Sequence, residues 1–254
     1  PFYTMAISMS IFGGTEFAAR LPHLFASLIS IALIYRVGAS LYNRTTGAFA
    51  ATLFALSPIS ILFAITLFTD TMLITFTLAS LLAIARGKWS LAGLLWGLAF
   101  ACKQTSIFFL PLLAVIGLIT FFNRRDRRED QNNFHPSAFI LHLSSFLLPA
   151  LVCLALIFTW DIIRQPSISF WTQGYDDNNP HRIIRTNEII PRLSAWYDLT
   201  AYISGSRLID LLLVIGLPIV LLSHRHPSKK NLCDYTLVGF TLSFLTAYWL
   251  FAFN

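Results

Sequence analysis

Three groups of residues in this sequence carry chemistry: a carboxylate, a cation and a polar–aromatic cluster. Asp70 interrupts an apolar stretch in Leu67-Phe68-Thr69-Asp70-Thr71-Met72. One reading makes it a helix N-cap, its oxygens accepting from the free N–H groups of a first turn. The other makes it a carboxylate facing a site at membrane depth, where it orients a metal, an acceptor hydroxyl or a basic partner. Lys103 ends the apolar run 91–102. Its long stem allows simple snorkelling to the interface, and its ammonium suits a lipid phosphate that needs charge neutralisation at headgroup depth.

The cluster is residues 170–185, Phe-Trp-Thr-Gln-Gly-Tyr-Asp-Asp-Asn-Asn-Pro-His-Arg-Ile-Ile-Arg. The run from Asp176 to Pro180 is turn chemistry, and the aromatics fit an interfacial belt. A functional reading joins them. Trp171, Tyr175 and Asp176 offer aromatic faces and polar groups to a sugar or acceptor. Arg182 and Arg185 offer guanidinium groups to a phosphate, and on a helix residues three apart share a face. Asp176 and Asp177 are adjacent acids, a weak basis for a metal site. No cofactor is firmly indicated; a divalent metal is compatible with these carboxylates.

These residues must be positioned by membrane helices. The chain is 56% hydrophobic and 12% charged, against about 25% charged for a soluble domain. About 20 apolar residues cross the hydrocarbon. Seven spans are expected, at 20–41, 46–67, 70–86, 89–103, 105–122, 138–160 and 207–223, and an eighth at 234–254 that is cut short. Residues 1–12 form a shorter apolar helix expected to lie at the interface. Read as one helix, 89–122 would be about 50 Å long, so Lys103-Gln104-Thr105 is read as a tight turn between two spans. The fold class is all-α, a polytopic transmembrane helix bundle with an external polar loop at 161–206. The apolar ends of the sequence suggest a piece of a longer protein.

Alternating the spans sorts the loops into two sets. One holds eleven Lys/Arg against four acids, the other seven against eight. The positive-inside rule puts the basic set in the cytoplasm, and Asp70, Lys103 and 161–206 then share the opposite face. The net charge of +6 therefore reports membrane orientation, and nucleic-acid binding is excluded. Cys102, Cys153 and Cys233 read as small packing residues. Arg124 to Asp130 reads as a solvated cytoplasmic linker, and His224-Arg225-His226 as an inner-face anchor. Asn43-Arg44-Thr45 matches a glycosylation acceptor but falls on the cytoplasmic side.

Glu16-Phe17-Ala18-Ala19-Arg20-Leu21-Pro22, then a span, a basic loop and Ala55-Leu56-Ser57-Pro58, resemble the GT-C glycosyltransferases of family 39. That group includes protein O-mannosyltransferases and the aminoarabinose transferases of lipid A. Pro1-Phe2-Tyr3 is similar to the end of the family's Lys-Pro-Pro-hydrophobic-Tyr segment. Phe68-Thr69-Asp70 resembles its acid at the outer end of a span, and Ala101-Cys102-Lys103 its later membrane-edge lysine. The resemblance covers residues 1–122; beyond that it rests on topology and the outer loop.

The resemblance implies a GT-C-like bundle, multi-pass in the plasma membrane, with its active face external. It implies transfer of a sugar from a polyprenyl-phosphate-linked donor to a hydroxyl acceptor, whether glycan, lipid or protein, among membrane lipids. A carboxylate would act as base and cations would stabilise the departing phosphate. The absence of an Asp-x-Asp motif agrees with a lipid-linked donor. The family's main base lies ahead of the Pro-Tyr segment, upstream of Pro1, so Asp70 is expected to be a supporting residue and residues 1–254 alone inactive. The alternative is a lipid-sugar flippase or other multi-span transporter. It would want charges along a path through the spans, whereas here the mid-span sections are nearly free of them. A non-catalytic membrane scaffold is the third possibility.

Overall fold

A computed structural model describes residues 1–126, 136–179, 182–223 and 229–252. Residues 127–130 of the Arg124–Asp130 linker and the His224-Arg225-His226 triplet lie outside the described residues. The chain is an all-α membrane protein that divides into two units, Pro1–Thr159 and Trp160–Asn254. Helices Glu16–Leu41, Gln104–Asn123 and Phe139–Arg164 are each long and apolar enough to cross a membrane, and a bent pair at 44–65 adds a fourth candidate.

The first unit comprises α1 (Phe2–Phe12), α2 (Glu16–Leu41), α3 (Arg44–Leu56), α4 (Pro58–Ile65), α5 (Asp70–Ala85), α6 (Trp89–Cys102), a 3-10 segment Gln104–Phe109, α7 (Leu110–Asp126), and most of α8 (Pro136–Arg164). Side-chain caps start two of these. Thr15 accepts from the Ala18 N–H at 3.2 Å. Asn43 accepts from the Thr46 N–H at 2.8 Å, which gives the Asn-Arg-Thr triplet a structural role. The expected span 46–67 is two helices bent by 62° at Ser57. Pro58 sits at the first position of α4, where its missing N–H costs nothing and the residue before it is held extended.

Helix α5 is the axis of this unit and packs on α2, α6 and α7. It is only 16 residues long, about 24 Å at 1.5 Å per residue, short of a hydrocarbon core of about 30 Å. Its neighbours cover it on nearly every face, with Met72, Leu73, Leu81, Leu82 and Ile84 all buried. The hydroxyls of Thr71, Thr75 and Ser80 bond inside the protein. Ser30 and Thr75 share a hydrogen bond of 2.8 Å between α2 and α5, and Ser80 donates to the Ala92 carbonyl of α6 at 2.8 Å. Such bonds hold membrane helices together where hydrophobicity cannot.

Small residues set the approach of α6 to α8. A Cβ on Gly93 would collide with the Phe146 carbonyl, and one on Gly97 would lie 2.5 Å from the Cys153 Cβ. His142 of α8 meets the Trp89 and Phe121 rings edge-on at 5.6 and 5.4 Å. All three cysteines are free thiols, with Cys153 and Cys233 buried among packed helices.

The second unit begins with the last turn of α8. It continues through α9 (Phe170–Asn178), the two-residue strand β1 (Arg182–Ile183), a 3-10 turn Thr186–Glu188, α10 (Ile189–Ser204), α11 (Arg207–Ser223), α12 (Lys229–Leu250) and β2 (Phe251–Ala252). The strands pair antiparallel, Arg182 opposite Ala252 and Ile183 opposite Phe251. Arg192 Nη1 donates to the Trp249 and Phe251 carbonyls at 3.1 and 3.0 Å, closing the C-terminus of α12. Gly205, at φ +76°, ends α10 in the left-handed conformation that glycine adopts without penalty.

Gly93→Ala and Gly97→Ala are expected to destabilise the protein by about 1–3 kcal/mol each, because α8 must move away. Gly239→Ala, whose new methyl meets nothing within 4 Å, is expected to be neutral or to stabilise by up to about 1 kcal/mol. Thermal unfolding of the three variants in one detergent checks the contrast.

Candidate functional site

The first site group is built by a helical hairpin. Helices α5 and α6 are joined by Arg86-Gly87-Lys88, with Gly87 at φ +69° and the Lys88 N–H returning to the Ala83 carbonyl at 2.8 Å. That reversal brings the start of α5 beside the end of α6. Asp70 is the first residue of α5, where a carboxylate also meets the positive end of the helix dipole. Lys103 leaves α6 in an extended conformation, φ −160° and ψ 134°, before the chain continues as 3-10 helix. Its Nζ lies 2.7 Å from Asp70 Oδ1.

Thr69 takes the cap position of α5, so Asp70 stands inside the helix, and the Lys103 ammonium has the Asp70 carboxylate as its partner. Their side chains are 27% and 38% exposed respectively, so the pair is open to solutes at one end of the hairpin. The basic residues Arg86 and Lys88 stand at the other end.

Asp70 also forms part of the wall of a pocket of about 260 Å³ between α2, α3, α4 and α5. Ser27, Ser30, Phe54, Ile59, Phe63, Thr71 and Ile74 complete most of the lining. Thr71 turns its hydroxyl onto the Phe63 carbonyl at 2.8 Å and Ser30 turns its own to Thr75. The wall is therefore more apolar than its residue names suggest.

In the second unit, helix α9 carries Trp171, Tyr175 and Asp176. Ser169 caps it, accepting from the Thr172 N–H at 3.0 Å. Trp171 and Tyr175 are four apart and share a face; Tyr175 is 67% exposed, and Trp171 packs edge-on against Phe170 at 5.7 Å. The expected turn at 176–180 is a correction: Asp176 and Asp177 belong to the helix, which runs to Asn178, and Asn178 Nδ2 donates to the Gly174 carbonyl at 2.8 Å. The helix stops as it nears Pro180, as the residue before a proline disfavours the α conformation.

Arg182 and Arg185 do not share a helix face, because the chain there is a strand followed by an extended residue. Arg182 is committed to Glu188, with Nη1–Oε2 at 2.8 Å and Nη2–Oε1 at 2.6 Å, a bidentate pair. The Arg185 backbone N–H donates to the same carboxylate at 3.0 Å. The exposed Arg185 guanidinium makes no ion pair among the described residues. Among the described residues no group of three or more His, Cys, Asp or Glu side chains is placed to hold a metal ion.

Of the carboxylates that fix the chain on either side of α9, two escaped the sequence reading. Glu188 is one. The other is Asp161, 8% exposed at the end of α8, whose two oxygens both accept from the Phe170 N–H at 3.1 Å and whose Oδ1 lies 3.5 Å from Arg164. Asp161 thereby fixes where α9 begins. An acid closing an apolar run, as at Asp70, was the signal that marked it.

A family model described as dolichyl-phosphate-mannose-protein mannosyltransferase matches residues 1–160. The match spans the first unit, with Asp70, Lys103 and the pocket, and ends before α9. No curated protein and no solved structure matches the chain.

The Arg182 guanidinium, then the Arg185 N–H, pull the Glu188 carboxyl down to about 2. A depressed value means that the contact is fully present above the ordinary carboxylate range and is lost as the pH falls towards 2. The Ile184 amide, bonded to the Leu250 carbonyl at 3.0 Å, reports on this turn. Its hydrogen-exchange protection factor is expected to hold from pH 7 to pH 4 in the wild type. In Glu188→Gln it should be severalfold lower across that range.

Proposed function

This chain belongs to the dolichyl-phosphate-mannose-protein mannosyltransferase family, and from that membership we propose that it moves a sugar from a polyprenyl phosphate to a hydroxyl acceptor. It is an integral membrane glycosyltransferase of the GT-C type. We place the reaction at the outer face of the plasma membrane. The observation that carries the reading is the half-buried Lys103–Asp70 pair beside an apolar-walled pocket, within the residues that match the family.

In such a transfer the anomeric C–O bond to phosphate breaks and its electron pair stays on the phosphate oxygen. The acceptor oxygen forms the new glycosidic bond and gives its proton to a carboxylate base. Charge thus grows on the phosphate as the sugar leaves, and a cation there lowers the barrier because it meets more charge in the transition state than in the ground state. Lys103 is the group assigned to this role. The pocket would take the apolar carbons nearest the phosphate. Asp70 is held by an ammonium and is assigned a supporting part, not that of the base.

The outer loop is assigned to sugar and acceptor. Trp171 and Tyr175 present aromatic faces, Asp176 an acceptor of hydroxyl hydrogen bonds, and Arg185 a guanidinium for phosphate. Arg182, held by Glu188, shapes the turn that carries Arg185.

In the full-length protein supplied with a polyprenyl-phosphate sugar, Lys103→Ala is expected to lower transfer about 100-fold, the scale for losing one preorganised donor at a developing anion. Asp70→Asn and Arg185→Ala should each lower it by a smaller factor. All three should still insert in membranes. Unchanged turnover in the three variants would overturn the assignment.

A further inference from the structure

We propose that Asp70 is an exchangeable counter-ion, which holds the Lys103 ammonium in the donor-free protein and gives it up to a phosphate. The proposal rests on the reading of Lys103 as a phosphate ligand. It adds that the ion pair at 2.7 Å is the resting state of the site and opens during each turnover.

The geometry makes exchange easy. The ammonium meets one oxygen, Oδ1. Both partners are partly exposed, so a phosphate can reach the ammonium without any helix moving. Lys103 lies at a break in the helix, and a lysine ammonium is a compact charge on a four-carbon stem that swings to a new partner at small cost. Asp70, by contrast, is fixed in the first turn of α5 and in the pocket wall. The lysine therefore moves and the carboxylate stays.

Charge then sets the direction of exchange. The sugar donor is a phosphodiester with one negative charge, and the lipid product is a phosphomonoester with close to two at neutral pH. The product would hold Lys103 more tightly than the donor does and would slow release. A carboxylate beside the site opposes this in two ways: it repels the added charge and it takes the ammonium back. Asp70 is thus a positioning residue whose effect falls on lipid-phosphate release.

Binding to the full-length protein in nanodiscs tests this with three probes: a short-chain prenyl phosphate, the matching prenol and inorganic phosphate. Asp70→Asn is expected to bind the prenyl phosphate about two- to fivefold more tightly, since the ammonium no longer has to leave a carboxylate. Lys103→Ala should bind it at least about tenfold more weakly, with prenol binding unchanged. If Asp70→Asn binds the prenyl phosphate more weakly or equally, Asp70 orients Lys103 without exchanging, and the proposal is overturned. If Lys103→Ala binds as the wild type does, the phosphate reading itself falls. Inorganic phosphate bound as tightly as the prenyl phosphate would support exchange with a free anion as the displacing group.

A second measurement needs no variant. Carbodiimide treatment of the wild type should join Asp70 to Lys103 through an amide seen by mass spectrometry. Prenyl phosphate should suppress that cross-link severalfold more than inorganic phosphate at the same concentration. A cross-link unaffected by prenyl phosphate would overturn the proposal.

Discussion

Hydrocarbon offers no hydrogen-bond partner, so every backbone and side-chain polar group in the bilayer must be satisfied by the protein itself. The first unit is arranged around that constraint. Helix α5 is too short to reach across on its own, and it survives because α2, α6 and α7 cover it. Thr71, Thr75 and Ser80 find carbonyls or another hydroxyl. The helix ends fall where charged residues stand, with Asp70 at one end and Arg86 and Lys88 past the other. Buried hydroxyls are thus spent on assembly, and charge is left for the hairpin ends, where headgroups and water begin.

The same constraint explains the contrast between the two groups of site residues. Asp70 and Lys103 are set by helix ends, and a helix end moves little once its neighbours are packed. Segments 170–179 and 182–188 are set by polar contacts instead, Asp161 on the start of α9 and Glu188 on Arg182, and Arg192 likewise closes α12. Removing either carboxylate, Asp161 or Glu188, would let a segment with few buried apolar side chains rearrange, whereas the hairpin pair would keep its scaffold.

The sequence was most readable where a charge stood in apolar surroundings. Asp70 and Lys103 were conspicuous for that reason, and the break at Lys103-Gln104-Thr105 followed from length alone. Their pairing was harder to see, because it spans 33 positions and depends on two helices of matched length reversing at Gly87. Ser57-Pro58 was visible as a family signature, yet its role as a helix break needed the geometry. The outer loop was least readable. Its acids and amides have turn propensity, but Ser169 and Asp161 nucleate a helix through them. No periodicity announces that Arg182 will seek Glu188 six residues on.

The bend at Ser57-Pro58 reaches beyond helix geometry. It swings α4 out of line with α3, and residues from both line the pocket. The hollow lies against that bend, closed on its other side by α2 and α5, and the side chains around it set its calibre. Exchanges at Phe54, Ile59 or Ile74 would widen or narrow the space without abolishing it. Drift at those positions would thus reshape the space while the bend itself stays in place.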